Sequence, residues 1–190
     1  MVNNMLDLRE VTEFLRDVWG YIVTFVVIAV IFVFIVSVVP VSGNSMNPTL
    51  TDGNMVLVFK PSYWFSSIKR NDIVVIRTED KIRYVKRIIG LPGERVDYLK
   101  GFLYINNEPF KENIEFGDNV TTNNFMMEDI CEESECPNYV IPENMYLVLG
   151  DYRIDSKDSR DPEIGLVTKK EIDGKVVFKV WPISEFSGIN

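Results

Sequence analysis

The feature that most constrains this chain is a long run without a charged residue, from Val18 to Val41. Val, Ile and Phe dominate the run, and roughly 20 helical residues cross the hydrocarbon core of a bilayer. In lipid the backbone must satisfy its own hydrogen bonds, so a helix is predicted despite the many β-branched residues. The run is longer than the apolar core of a cleaved signal peptide and lacks a clear small-residue cleavage site at its end. We therefore interpret residues 18–40 as a retained transmembrane anchor.

The basic residues on either side of the run predict its orientation. Arg9 and Arg16 precede it, and no Lys or Arg follows until Lys60. Basic residues accumulate on the cytoplasmic side of a membrane span, so residues 1–17 are predicted to be a cytoplasmic N-terminal segment. Residues 41–190 are then predicted to form an extracytoplasmic domain, held at the cell (plasma) membrane by a single pass.

After the anchor, the sequence changes to short apolar runs with alternating polar residues, which are typical of β-strands. Turn-forming pairs such as Asp52-Gly53 and Pro92-Gly93 separate these runs. Many strands with little helical pattern between them predict a mainly β fold: an antiparallel β-sheet domain following a single N-terminal transmembrane helix. The predicted strands are Met55–Phe59, Asp72–Arg77, Lys81–Ile89, Gly101–Ile105, Met145–Leu149 and Lys175–Val180.

A polar and irregular stretch interrupts the strand pattern, and we interpret residues 106–140 as an inserted small subdomain or loop. It contains both cysteines of the chain, Cys131 and Cys136. An extracytoplasmic location permits a disulfide between them. Two free thiols fit the sequence equally well, because spacing alone does not give the geometry of the pair.

The composition excludes several classes of function. The net charge of −8 argues against nucleic-acid binding, which needs a concentrated basic surface. The chain has no histidine, and this rules out Ser-His-Asp and Cys-His nucleophiles and His-ligated zinc sites. Acid–base chemistry near neutral pH must therefore use Lys, Asp, Glu, Tyr or Cys with a shifted pKa.

Two residues of the outer domain are candidates for a nucleophile and its general base. Ser45 lies in a turn rich in Gly, Asn and Pro, directly after the anchor, and Lys86 lies on a predicted strand. Turn serines are usually linker residues, and strand lysines usually extend to water. Lys86, however, shares its strand face with Ile82, Tyr84 and Ile88. If it is buried there, its pKa falls, and the neutral amine can take a proton from a serine hydroxyl.

A third polar stretch, Gly150–Arg160, directly follows a predicted strand. Such a stretch is usually a solvated turn. Here it also offers a hydroxyl, Ser156, that can fix the lysine amine. Its carboxylates, Asp151 and Asp158, can pair with the guanidinium groups of Arg87 and Arg160.

Together these stretches resemble the signature boxes of the type I signal peptidases, the membrane-anchored serine proteases of bacteria. Gly43–Leu50 is similar to their serine box, Lys86–Glu94 to their lysine box, and Gly150–Arg160 to their third box. Asp72–Val75 resembles a further, weaker box. Tyr152 stands where the third box usually has Asn. The three boxes occur in the family's order after a single anchor and cover nearly the whole outer domain.

The resemblance implies a signal peptidase I, a serine endopeptidase that removes signal peptides through a Ser/Lys dyad and an acyl-enzyme. Ser45 would be the nucleophile and Lys86 the general base, with the Ser45 N–H in the oxyanion hole. Some relatives carry a serine hydroxyl at the position of Gly43, so that contribution is absent here. The other residues implied at the site are Ser156 and Tyr84 beside the lysine, and the supports Asp151, Asp158, Arg87 and Arg160.

The resemblance also implies the substrate and the partners. Secretory preproteins would bind in an extended conformation along strand edges, with small side chains just before the cut and two residues earlier. The lipid bilayer is the other implied partner, and no nucleic acid is expected. The mechanism needs no metal and no organic cofactor.

Three alternative functions share some of these sequence features. A self-cleaving repressor of the Ser-Lys type is disfavoured, because such proteins are soluble and carry a DNA-binding domain. A maturation peptidase dedicated to pili or conjugation stays open. So does a non-enzymatic, membrane-tethered β-module, which predicts an ordinary lysine titration, whereas catalysis predicts a rate that rises with pH.

Overall fold

The structure, a computed structural model, describes residues 8–64, 66–78, 80–112 and 123–189. It divides into two compact units, Met1–Ser37 and Val38–Asn190. The first unit contains helix α1, Leu8–Ile35. Its segment Val11–Ile35 is long and apolar enough to cross a membrane, with a mean hydropathy of 2.8. From Thr12 onward most of the apolar side chains of this helix are exposed.

The helix ends earlier than the sequence pattern predicts. Residues 36–40, assigned to the anchor from the sequence, form strand β1, Val36–Pro40, which lies next to β2 (Met55–Phe59) in the main sheet. Apolar β-branched residues continue across this boundary, so the pattern contains no stop signal. Pairing with another strand and burial of Val39 in the core determine the conformation instead.

The second unit is built mainly from antiparallel strands, and the predicted mainly β, antiparallel fold after one apolar helix is confirmed. Among the described residues the main sheet has eight strands, in the order β1-β2-β10-β3-β4-β8-β9, with β11 paired to β10. Its further strands are β3 (Ile73–Arg77), β4 (Arg83–Gly90), β8 (Met145–Leu149), β9 (Val167–Thr168), β10 (Ile172–Trp181) and β11 (Ser187–Gly188).

A second, three-stranded sheet contains β5 (Val96–Leu99), β6 (Phe102–Ile105) and β7 (Glu108–Phe110). It begins before the predicted insertion at residue 106 and includes one of the predicted strands, β6. The short helix α2, Met127–Ile130, follows it. Part of the predicted insertion, residues 113–122, lies outside the described residues. Cys131 and Cys136 form a disulfide.

All six predicted strands are present, as β2, β3, β4, β6, β8 and β10. They surround three apolar clusters. The cluster that matters for the site packs Met46 and Leu50 against Val56, Val85 and Val176. It fixes the turn that carries Ser45 against strands of the main sheet.

Candidate active site

The turn that carries Ser45 is held in place by apolar packing and by backbone hydrogen bonds. Met46 and Leu50 are fully buried, and the N–H of Leu50 donates to the carbonyl of Met46 at 2.8 Å. The carbonyl of Ser45 accepts a hydrogen bond of 3.0 Å from the N–H of Tyr152 in the third polar stretch. The apolar residues that follow the serine therefore position it, and the third stretch fixes its backbone.

Gly43 contributes its backbone conformation to this turn. Its φ is +82°, in the left-handed region that favours glycine. Its N–H donates to Oδ1 of Asp52 at 2.7 Å. As expected from the sequence, the position has no hydroxyl to offer to a reacting carbonyl.

The amine of Lys86 lies between two hydroxyl groups. Its Nζ donates to Ser45 Oγ at 2.7 Å and to Ser156 Oγ at 3.2 Å. The side chain comes from the middle of β4, and Lys86 is only 1% exposed. The ring centroid of Tyr84, two residues earlier on the same strand face, lies 5.9 Å from Nζ. The structure thus brings together the serine and the lysine that the sequence pairs.

Burial changes the acid–base behaviour of this amine. Removal from water penalises the ammonium form and lowers the pKa of Lys86 from 10.5 to about 8. The negative charge of Asp158 opposes this shift, and the positive charge of Arg160 adds to it. Near neutral pH a minor fraction of the molecules therefore holds a neutral amine 2.7 Å from a hydroxyl.

Ser156 connects the amine to a buried carboxylate. Its hydroxyl accepts from Lys86 and is also among the groups that lower the pKa of Asp158. Burial opposes ionisation of Asp158, but the hydrogen bonds and charge of Arg160, with the N–H of Gly150, outweigh it and lower the pKa. Arg160 contacts both carboxylate oxygens, at 2.8 and 2.7 Å. Asp158 is therefore an anion that orients Ser156 from behind.

A second buried ion pair joins the three polar stretches. Both oxygens of Asp151, which is fully buried, accept from Arg87, at 2.8 and 2.6 Å. The hydroxyl of Thr49, in the Ser45 turn, donates to the same carboxylate at 2.5 Å. Because Arg87 follows Lys86 on β4, this pair fixes the lysine strand, the serine turn and the third stretch to one another.

Gly150 has no side chain, and this leaves room for the Ser45 turn and the third polar stretch to approach each other. A Cβ atom built on it would lie 2.1 Å from Ser156 Oγ and 2.4 Å from the carbonyl oxygen of Ser45. Any larger residue would therefore displace the side chain of Ser156 or the backbone of Ser45. By contrast, Tyr152 reaches Ser45 through its backbone N–H, so a tyrosine in place of the usual Asn preserves this contact.

Some residues with buried polar contacts were not selected from the sequence. Thr49 and Arg153 lie within the signature boxes, and their position there is the sequence signal that could have identified them. Arg153 is 1% exposed and bonds the carbonyl of Gly150 at 3.0 Å and Glu112. Lys175 pairs with Asp72 at 2.6 Å. No local pattern points to Glu112 or Lys175, because only the fold brings them to their partners.

A cleft of about 300 Å³ opens beside Ser45. On one side is the chain from Val39 to Met46, and on the other is the start of β4. In this region β4 lacks a partner in β8, which pairs with it only from Arg87 onward. The lining is mostly apolar and can accept an extended segment with small side chains. The lining residues are Val39, Pro40, Val41, Ser42, Ser45, Met46, Arg83, Tyr84 and Val85.

The residues described by the structure contain no group of three or more His, Cys, Asp or Glu side chains that could hold a metal ion. The functional side chains that do converge are hydroxyl, amine, carboxylate and guanidinium groups. Their arrangement suits proton transfer from a serine and attack on a carbonyl carbon.

Comparison with known proteins gives consistent matches. A family model for signal peptidase, peptidase S26, matches residues 15–181. Signal peptidase IB of Staphylococcus aureus (strain COL) is 39% identical over 181 residues, which cover 92% of this chain and 93% of the relative. Signal peptidase I of Bacillus caldolyticus is 37% identical over 177 residues, 89% of this chain and 92% of the relative. A solved structure of a signal peptidase I from Enterococcus faecalis V583 is 32% identical, with a TM-score of 0.48, and covers 58% of this chain and 97% of the other.

Proposed function

The chain belongs to the signal peptidase family, peptidase S26, and on that premise we propose that it removes signal peptides from secretory preproteins with a Ser45/Lys86 dyad. The family makes it a hydrolase acting as a signal peptidase. This favours the enzyme over the non-enzymatic β-module. We further propose that α1 anchors it in the membrane, with the N-terminus cytoplasmic and the catalytic unit outside.

The observation that carries the dyad is the contact of 2.7 Å between Lys86 Nζ and Ser45 Oγ, made by a lysine that is 1% exposed. A solvated lysine would be protonated at neutral pH and could only donate to the serine. The buried amine, with its pKa lowered to about 8, loses its proton readily enough to act as a base.

The reaction then proceeds in two steps. The neutral amine of Lys86 takes the proton of Ser45 as Oγ attacks the carbonyl carbon of the scissile bond, and the N–H of Ser45 donates to the developing oxyanion. The lysine returns that proton to the departing amine, which leaves as the N-terminus of the mature protein. A water molecule attacks the ester in the same way and releases the signal peptide with a free carboxylate.

The neighbouring residues support the dyad without reacting. Ser156 orients the amine, because its hydroxyl accepts a hydrogen bond from Lys86, and the anionic Asp158 interacts electrostatically with the same hydroxyl. Tyr84 covers the amine on the strand face. The ion pairs of Asp158 with Arg160 and of Asp151 with Arg87 fix the loops that carry these groups.

The substrate segment lies extended in the cleft beside Ser45. Its backbone pairs with the free edge of β4, and its side chains before the cut face Val39, Val41 and Val85. The small size of the cleft limits those side chains to small ones such as alanine. The apolar part of the signal peptide remains in the bilayer.

The test is preprotein cleavage by purified full-length variants in detergent micelles. Ser45→Ala and Lys86→Met are expected to lower kcat by at least about 10³-fold, the scale of losses on removing a nucleophile or its base. Ser67→Ala and Lys170→Met, at exposed positions outside the cleft, are the matched controls. Activity retained in either dyad variant would refute the assignment. A panel of preproteins shows whether cleavage is general or dedicated to a few substrates.

A further inference from the structure

We propose that Arg83 gives the enzyme a charge preference, favouring an acidic over a basic substrate side chain a few residues before the scissile bond. The inference rests on the proposed function, because it concerns the substrate that this function places in the cleft. It adds charge selection to a cleft that is otherwise apolar.

The position of Arg83 follows from strand geometry. It is the first residue of β4, three residues before Lys86, and it lines the same cleft as Ser45. Strand residues rise about 3.3 Å each, so Arg83 lies roughly 10 Å along the strand from the dyad. The apolar cleft wall adjoining Ser45 takes the small side chains that precede the cut. A substrate strand paired with β4 therefore brings its third to fifth residues before the scissile bond within reach of Arg83.

The charge at this end of the cleft is not balanced. Arg83 contacts Asp173 on β10 at 3.1 Å, and Arg77 on β3 binds the same carboxylate, with its Nε at 3.0 Å. These three side chains together carry one net positive charge, and the carboxylates of Asp80 and Glu171 lie with Arg77 in a separate pocket that Arg83 does not line. The side chain of Asp173 is 13% exposed and that of Arg83 is 51% exposed. The anion is thus largely covered, and half of the cation stays open to a ligand.

Arg83 is also the single charged residue among the nine that line the cleft. A carboxylate in the substrate is attracted to it, and an ammonium group at the same place is repelled. Exposed charge pairs interact weakly, but attraction in one substrate and repulsion in the other add up. We expect a Glu substrate to exceed a Lys substrate about fivefold in kcat/KM, and added salt to reduce this ratio.

The experiment uses full-length enzyme in uncharged detergent and matched preproteins that carry Glu, Gln or Lys at the third, fourth or fifth residue before the cut. The Glu-to-Lys ratio of kcat/KM is read within each variant, so a difference in the amount of active enzyme cancels. Arg83→Gln is expected to bring the ratio to within about twofold of one. Asp173→Asn is expected to raise it, because both cations then lack their anion, and a folding defect cannot produce such a gain. Lys170→Gln, a loss of one exposed charge outside the cleft, keeps the parent ratio.

Two results would count against the inference, and they have different consequences for the proposed function. If the parent cleaves the Gln substrates but shows no Glu preference, or keeps its preference in Arg83→Gln, the role of Arg83 is refuted and the proposed function stands. If the parent cleaves none of the preproteins, the proposed function fails, and the inference fails with it.

Discussion

In the proposed mechanism, the amine of Lys86 decides when Ser45 can lose its proton. Its pKa is lowered to about 8 by burial, so below that pH the amine is mainly protonated and cannot act as a base. We therefore expect kcat/KM to rise nearly tenfold per pH unit up to about pH 8 and then to level off. Steady-state cleavage between pH 6 and pH 10 measures this.

A neighbouring lysine provides the control for this profile. Lys157 is partly exposed and follows Ser156 directly, and a hydrogen bond to Glu163 raises its pKa. It cannot supply a neutral amine near pH 8, so Lys157→Gln should keep the acid limb of the profile. A rate independent of pH over the same range would contradict the role of Lys86.

The same burial makes Lys86 a cost to the folded state. Lowering its pKa from 10.5 to about 8 corresponds to at most about 3 kcal/mol of destabilisation wherever both states carry the proton. The cost is complete below pH 8. It disappears as pH rises from about 8 to 10.5, because the folded protein then loses the proton first. Lys86→Met should therefore increase the free energy of unfolding at pH 7 and give less benefit at pH 10.

Thermal unfolding of the full chain in one detergent, at both pH values, measures this difference. Lys175→Met is the matched control, since the ammonium of Lys175 pairs at 2.6 Å with Asp72, whose side chain is 8% exposed. That variant leaves a buried anion without its cation and should be less stable than the parent. If Lys86→Met were also less stable at pH 7, the burial cost assigned to Lys86 would be wrong.

At the scale of elements, a buried ion pair connects the segment after β7 to the loop after β8. Arg153 has a side chain that is 0% exposed, and it binds Glu112, whose side chain is 7% exposed. Removing one member of such a pair typically costs about 3–5 kcal/mol, because the other charge stays buried. We expect Glu112→Gln to lower the unfolding free energy by roughly 3 kcal/mol.

The control for this prediction is Glu108→Gln, an exposed glutamate on β7, which should change stability little. Arg153→Met combined with Glu112→Gln should cost less than the sum of the single changes, because each removes the partner of the other. Additive losses in unfolding experiments would show that the two side chains act separately.

The elements also show which parts of the fold the sequence could predict. Short apolar runs between turn residues identified strands such as β4 and β8, which pack on apolar clusters and are buried on both faces. It did not identify β1, where valines continue the apolar pattern of α1 and only pairing with β2 distinguishes strand from helix. The short strands β7 and β9 are held by their neighbours and carry too few residues to show a period.

The residues of the candidate site also divide into those that the sequence could predict and those that it could not. Ser45, Lys86 and Ser156 could be selected because each lies in a stretch whose residue types fit one another. Glu112 and Lys175 bind partners 41 and 103 residues away in the sequence, Arg153 and Asp72. Their roles depend on the topology of the sheets, which local patterns do not contain. Residue types in sequence therefore indicate the proposed reacting groups, and the structure is needed for the groups that hold them.

At the scale of the whole molecule, the proposed function requires the proposed catalytic unit and the preprotein to meet on the outer side of the membrane. Arg9 and Arg16 precede the apolar helix, and the next basic residue after it is Lys60, so the N-terminus should remain in the cytoplasm. We expect protease added to intact cells without a cell wall to digest the outer unit. Inside-out vesicles should protect it. Arg9→Glu combined with Arg16→Glu removes the bias and should increase the fraction in the opposite orientation. A parent chain digested in inside-out vesicles and protected in intact cells would reverse the proposed topology. It would also separate the Ser45/Lys86 dyad from any cleavage site exposed on the outer surface.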